Sequence, residues 1–354
     1  MSGADPITAL QEHIRAAAAR GACLRLRGAG SKDFYGEALE GEILDLRPYQ
    51  GVVHYEPSEL VITARCGTPL ARLEEILAAQ GQFLACEPPR LSAASTLGGV
   101  VAAGLSGPRR MYAGALRDFV LGSKLLDAHG EVLRFGGEVM KNVAGFDVSR
   151  LLCGSLGILG VIAEVSLKVL PLPRAELTMR LALPAAAAVQ AFNRWAGEPL
   201  PLSATAWCEG AAWVRLSGAA PAVNAARARI GGELIEAHSA HAFWSGLRDL
   251  KLPFFGQPSL WRVSLPATAP ALAIDSQPLI EWGGAVRWYA AVPAEQDVRA
   301  QAILSGGTAL CWRGSCEGSR FHPLSGTILQ LNRRLKQRFD PGGLFNRNRL
   351  IANL

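Results

Sequence analysis

Three glycine-rich clusters, set in order along the first half of a 354-residue chain, constrain its fold more than any other feature. The first is Arg27-Gly28-Ala29-Gly30-Ser31-Lys32, directly after a strand-like run, Ala22 to Leu26. Glycines there let the backbone turn tightly and aim successive N–H groups at an anion, while Lys32 adds charge. The second, Ser95 to Gly104, sets Gly98 and Gly99 among small apolar residues. That composition suits a backbone passing against a flat ring or a pyrophosphate, and equally a closely packed helix start. The third runs Lys141-Asn142-Val143-Ala144-Gly145-Phe146-Asp147 and resumes at Gly154, with Gly154, Gly157 and Gly160 spaced by three ahead of a strand. Each cluster alone is compatible with plain structure; their order and spacing together point to backbone contact with one ligand. The first lacks the third glycine and the following helix of the dinucleotide fingerprint, and the chain has no P-loop.

Around these clusters the pattern is mixed. Pro6 to Gly21 reads as a helix, with Asp5 as cap and Gly21 as stop. Leu60–Arg65 reads as a strand, and Thr68-Pro69 opens a helix placing Leu70, Leu73, Ile76 and Leu77 on one face. Val120–Asp127, Val132–Phe135 and Val161–Leu170 read as strands, the last closed by Pro171 and Pro173. Pro171-Leu172-Pro173 breaks a strand without starting a helix and marks a domain boundary. Beyond it strands (Leu177–Leu183, Ala212–Leu216, Val286–Ala291) alternate with helices (Ala185–Trp195, Ala222–Ile230), the order of an α+β unit with an antiparallel sheet. A last helix, about Leu324 to Arg338, sets Ile328, Leu331, Leu335 and Phe339 on one stripe.

Charge and cysteine usage narrow the function. The net charge is +6, and residues 319–354 alone hold seven basic residues against one acid, Asp340. These basic residues (Arg320, Arg333, Arg334, Lys336, Arg338, Arg347 and Arg349) form either a solvated helix face, a docking surface for an acidic partner, or a counter-charge for phosphates. No basic run is interleaved with aromatics, which argues against nucleic acid. The seven cysteines are scattered and no CxxC pair exists, so the chain is not expected to hold an iron–sulfur cluster or structural zinc itself. Without a signal-like start or a membrane-length apolar run, a reducing cytoplasm is the expected location, with membrane contact only through partners.

The segments RGAGSK, STLGGVVAAG, RDFVLGSKLLDAHGEVLRFGGEVMKNVAGFDVSRLLCGSLGILGVIAEVSLKVLP and RRLKQRFDPGGLFNRNRL resemble the FAD-binding domain of the vanillyl-alcohol oxidase and p-cresol methylhydroxylase (PCMH) superfamily. Within it the chain is similar to the FAD-binding E subunits of bacterial glycolate oxidases. The resemblance implies an α+β fold: a PCMH-type two-part FAD-binding domain over residues 1–173, an inserted α+β cap with an antiparallel sheet over 174–318, and a returning segment over 319–354. It further implies that Gly28, Ala29, Gly30, Ser31 and Lys32 enclose the FAD pyrophosphate. Thr96, Gly98 and Gly99 would lie along pyrophosphate and isoalloxazine, with Ala102 and Gly104 nearby. Gly157, Gly160, Val161 and Ile162 would approach the adenosine half, and Asn142 and Gly145 the flavin edge. The implied partners are a sister flavin subunit and an iron–sulfur subunit of a glycolate oxidase complex.

The chain departs from the superfamily's metal-using 2-hydroxyacid dehydrogenases. Its cap carries only His238 and His241, with His322 beyond, so no metal is expected. Leu156 stands where catalytic members tend to place a glutamate, as in the E-subunit branch. No histidine or cysteine sits at a recognisable flavin-linkage position, so FAD is expected to be non-covalent. No catalytic residue is assignable from the sequence. The alternative is a self-sufficient FAD-dependent dehydrogenase of another 2-hydroxyacid, with Arg248, Arg262, Arg287 or Arg313 clamping a carboxylate. A third reading is a scaffold that keeps the fold without the cofactor.

Overall fold

The computed structural model describes residues 6–137, 147–293 and 297–352. Helix α1 (Pro6–Ala19) buries Leu10, Ile14 and Ala17, one stripe at helical spacing, and stops at Gly21, whose φ is +66°. The chain then forms β1 (Leu24–Arg27), turns through the first glycine cluster, and pairs β2 (Glu42–Asp45) parallel to β1. Strands β3 (Val52–Glu56) and β4 (Val61–Arg65) form an antiparallel pair, and α2 (Leu70–Ala78) follows, burying Leu70, Leu73 and Leu77. After the short β5 (Gln82–Phe83) come α3 (Leu97–Ala103) and α4 (Arg110–Ala113). Next are β6 (Val120–Leu126), β7 (Val132–Gly136), α5 (Val148–Leu151), β8 (Val161–Lys168) and β9 (Leu170–Pro171), which pairs back to β5.

These strands make a five-stranded antiparallel sheet in the order β3-β4-β8-β6-β7. Its central strands β4 and β8 are buried along nearly their whole length, the polar Thr63, Glu164 and Ser166 included. A register shift between Lys124 and Leu125 of β6, opposite Glu164 and Ile162, leaves Ala163 as an extra residue in β8. Val161 and Ala163 therefore join the core under α1 and β1, whereas Val165 and Leu167 join the core under α2 and α3.

The chain leaves this sheet at Pro171 and enters an eight-stranded antiparallel one at Ala175. Its elements are β10 (Ala175–Ala182), α6 (Ala185–Ala196), β11 (Leu202–Cys208), β12 (Ala211–Gly218), α7 (Ala220–Ile230), β13 (Glu233–Ile235) and α8 (Ala237–Arg248). They continue as β14 (Leu260–Ser264), β15 (Leu279–Glu281), β16 (Val286–Ala290), α9 (Val298–Leu304) and β17 (Thr308–Arg313). The strand order is β13-β10-β12-β11-β15-β16-β14-β17. Sequence reading finds β10, β12 and β16 but not β11, β14 or β17. β11 is buried along its whole length, so it lacks the apolar–polar alternation that marks a half-exposed strand.

Helix α10 (Gly326–Phe339) then returns to the first sheet. The expected apolar stripe divides in two. Leu335 and Phe339 pack on the first sheet's core, while Ile328 and Leu331 stay exposed, because only the last turns of the helix reach that core. Nor are all the C-terminal basic residues a solvated face. Lys336 is buried, its Nζ donating to Asp340 Oδ2 (2.6 Å) and to the carbonyls of Ile158 (2.8 Å) and Phe345 (2.8 Å), and Arg349 is also buried.

Candidate functional site

The first glycine turn, the start of α3, the segment between α5 and β8, and the C-terminal tail converge on one groove of about 760 Å³, counting its open mouth. Gly28, Ala29, Gly30, Ser31 and Lys32 form one wall; Thr96, Gly98, Gly99 and Ala102 form another; Gly157, Gly160 and Ile162 form the floor. The second glycine cluster is thus both things its composition allowed, a tight helix start and a groove wall.

Close packing explains why these positions are glycines. A Cβ on Gly28 would collide with the Thr96 hydroxyl, and one on Gly98 would lie 2.7 Å from the Cys66 side chain. Gly30 (φ +71°) and Gly157 (φ +74°) occupy the left-handed region, which side chains rarely adopt. Leu156 shares that region at φ +51° and is held there from two sides. Its N–H donates to the Ala102 carbonyl (2.9 Å), and its carbonyl accepts from Asn346 Nδ2 (2.6 Å). A left-handed leucine costs roughly 1–2 kcal/mol, so the surrounding bonds must hold it.

The groove is electropositive and carries an unmet donor. Lys32 Nζ is buried with no hydrogen-bond partner among the described residues, and burial pushes its ammonium down to about 8. An orphaned buried ammonium is costly unless an anion reaches it. Asp33, the neighbouring acid, is already engaged by Arg25 (2.5 Å) and Arg27 (3.3 Å). Arg349 lines the far side but spends its fork on the loop itself, donating to the carbonyls of Lys32 (3.0 Å), Asp33 (2.8 Å), Tyr35 (2.5 Å) and Glu37.

Other proposed positions fall elsewhere. Gly104 caps α3 at φ +64°, where a Cβ would meet the backbone of Gly154 at 2.8 Å. The Val161 side chain is buried in the core beside α1. Asn142 and Gly145 lie outside the described residues. Sequence reasoning missed Asn346, which joins two walls: its Oδ1 accepts from Leu26 N (2.7 Å) while its amide donates to Leu156. Its position just after the FDPGGLF turn was the available signal, but nothing local says that this turn returns 320 residues to β1.

Of the four arginines considered as a carboxylate clamp, three are committed to the protein. Arg248 pairs with Asp249 (2.7 Å) and Glu74 (3.5 Å). Arg287 donates to the carbonyls of Ala269, Pro270 and Gly284, and Arg313 to those of Phe255 and Gln257. His238 and His241 are exposed on α8, and His322 Nδ1 accepts from Ala309 N (3.3 Å). Among the described residues no three His, Cys, Asp or Glu side chains converge as a metal site would require.

Comparison with known proteins places this geometry. Residues 5–136 match the family model for an FAD binding domain. The chain is 45% identical over 351 residues to the glycolate oxidase subunit GlcE of Escherichia coli (strain K12), covering 99% of both chains. It is 30% identical over 139 residues to the glycolate oxidase subunit GlcD of Bacillus subtilis (strain 168), covering 39% of this chain and 29% of that one. Over 107 residues it is 34% identical to the D-lactate dehydrogenase of Archaeoglobus fulgidus, covering 30% of this chain and 24% of that one. A solved alkyldihydroxyacetonephosphate synthase shares the fold at a TM-score of 0.65 and 16% identity, over 95% of this chain and 73% of that one.

Proposed function

The chain belongs to the family of the glycolate oxidase subunit GlcE and is an FAD-dependent oxidoreductase subunit, and from that premise we propose how its parts work. Residues 1–173 with 319–354 form the FAD-binding unit, and residues 174–318 form a cap over it. The groove between the glycine walls holds FAD. Backbone N–H groups of Gly28 to Ser31 and the Lys32 ammonium meet the pyrophosphate, Thr96, Gly98 and Gly99 lie along its length, and Gly157, Gly160 and Ile162 receive the adenosine half. When bound, FAD supplies the capacity to take a hydride from a 2-hydroxyacid and release electrons onward. The protein's part is to orient it, keep water off it and counter its charge.

The observation that carries this reading is the unpaired Lys32 ammonium in a groove whose walls tolerate no side chain at Gly28 or Gly98. Among the described residues no histidine, cysteine or tyrosine lines that groove, and we propose that FAD is held there non-covalently. The chain works in a multi-subunit glycolate oxidase. We assign it a sister flavin subunit that oxidises the hydroxyacid and an iron–sulfur subunit that takes electrons onward. Among the described residues no helix is long and apolar enough to cross a membrane, so we place membrane contact, where it occurs, on those partners.

The first test is the absorbance spectrum of the purified chain, alone and co-expressed with its partners. Flavin bands released by acid are expected, and Gly28→Ala should weaken FAD binding by about tenfold, within the 1–3 kcal/mol of forced overpacking. A colourless protein that takes up no FAD in either form would overturn the assignment. Robust glycolate turnover by the chain alone would instead overturn its role as an accessory subunit.

A further inference from the structure

One pair of arginines stands apart from every other in the molecule. Arg110 on α4 and Arg262 on β14 approach the same indole, that of Trp282, with guanidinium carbons 4.4 Å and 4.9 Å from its ring centroid. Arg262 also lies 5.6 Å from the Trp288 ring. Among the described residues the Arg110 guanidinium has no hydrogen-bond acceptor, and Arg262 has only Ser264 Oγ at a long 3.4 Å. Two carboxylates act on the pair from nearby: Glu281, which is buried and accepts from Trp288 Nε1 at 2.8 Å, and Asp118, which acts on Arg110 and is already engaged by Arg150 (2.7 Å). Two cations therefore share one indole, and neither has an ion pair of its own among the described residues. Burial and mutual repulsion disfavour Arg110's charge, whereas cation–π contact supplies only part of what a desolvated guanidinium loses.

The turn that presents Trp282 is strained and fixed. Trp282 has φ +54°, and Gly283 and Gly284 follow at +66° and +109°. The turn is held by Gly283 N donating to Thr205 Oγ1 (3.0 Å), by Asn193 Nδ2 donating to the Gly283 carbonyl (2.9 Å), and by Trp282 Nε1 donating to the Gly107 carbonyl (3.1 Å). A tryptophan kept in the left-handed region by three such bonds marks a position the fold over-determines. Tyr35, three residues beyond Lys32 in the groove loop, completes the cluster. Its ring packs on Trp312 (5.2 Å) and Phe321 (5.4 Å), its charge would couple to Arg262, and its hydroxyl has no partner among the described residues. Both arginines keep part of their surface exposed to solvent.

We propose that Arg110 and Arg262, backed by Trp282, bind the carboxylate of a small 2-hydroxy- or 2-oxoacid, with the Tyr35 hydroxyl meeting its neighbouring oxygen. Two guanidinium forks held beside one indole by different elements suit a carboxylate better than a single charge would. The inference rests on the flavin-subunit reading, and it gives this subunit a hydroxyacid site of its own where the two sheets meet.

The test titrates the FAD-loaded full chain with oxalate, which carries the carboxylate and has no hydride to lose. Binding is followed by tryptophan fluorescence and calorimetry. Saturable binding is expected, weakened about tenfold or more by Arg262→Gln and independently by Arg110→Gln, with an intermediate loss in Arg262→Lys and unchanged flavin content in all. Failure of the loaded wild-type chain to bind oxalate, or equal binding by the variants, would overturn the site. Glycolate oxidation by the co-expressed wild-type complex, measured alongside, decides the functional reading separately.

Discussion

Lys32 places a charge in the groove that no other described residue satisfies. Burial lowers its pKa from 10.5 to about 8, so between those values the unfolded chain holds the proton more tightly than the folded one. The ligand-free protein therefore gains stability as pH rises through that window. Binding of a pyrophosphate reverses the sign, because an anion at the ammonium raises its pKa. FAD should therefore bind with proton uptake above pH 8, and its affinity should fall as pH climbs, by at most about tenfold per unit. Calorimetry in buffers of different ionisation enthalpy measures the uptake directly. Lys32→Met should abolish the pH dependence and cost FAD binding roughly 1.5–3 kcal/mol, the range for a hydrogen bond to a charged group.

At the scale of elements, the C-terminal segment builds the site as much as the glycine clusters do. The tail joins β1 in parallel at Phe345, Leu24 N donates to the Leu344 carbonyl (2.6 Å), and Asn346 N donates to the Leu24 carbonyl (2.9 Å). One buried pair locks this return. Asp340 takes the Lys336 ammonium and the N–H groups of Leu344 (2.9 Å) and Phe345 (2.8 Å), which fixes the turn after α10. Replacing Lys336 by Met leaves a buried carboxylate without its cation, so a loss of about 3–5 kcal/mol is expected in urea unfolding. Flavin content should fall with it, because Asn346 would no longer bridge Leu26 and Leu156.

Across the whole molecule, charge ties the two sheets together. Glu87, between β5 and α3, receives Arg215 of β12 (2.8 Å) and both the backbone N–H (3.1 Å) and Nε (3.0 Å) of Arg109. Arg109 also pairs with Glu176 of β10. Burial opposes the charge on Glu87, but Arg215 and Arg109 outweigh it and hold the carboxyl below its ordinary range. Its stabilisation is thus present above the unfolded pKa of about 4.3 and is lost as pH falls through the lower folded value. Wild-type protein should lose more thermal stability between pH 5 and pH 3 than Glu87→Gln does, as followed by near-ultraviolet circular dichroism. Equal losses would place the acid sensitivity elsewhere.

The sequence by itself determined the parts whose physics is local. Glycines at Gly28, Gly30 and Gly157 announce tight turns, Leu70, Leu73 and Leu77 announce a helix face, and the proline pair at 171 and 173 announces a break. It also carried the family, because several such local devices occur in one order. Only the tertiary structure decided what those parts meet. It brought Asn346 across 320 residues to Leu26, buried Lys336 in a basic stretch whose composition left a solvated face, a docking surface and a phosphate counter-charge all open, and divided an apolar stripe by leaving Ile328 and Leu331 exposed. It also separated Arg262 from Arg248, Arg287 and Arg313, four residues identical in chemistry and different only in their neighbours. A left-handed turn or an amphipathic period is encoded in adjacent residues. Whether a buried charge finds a partner depends on which distant segments fold against it, and no local pattern records that.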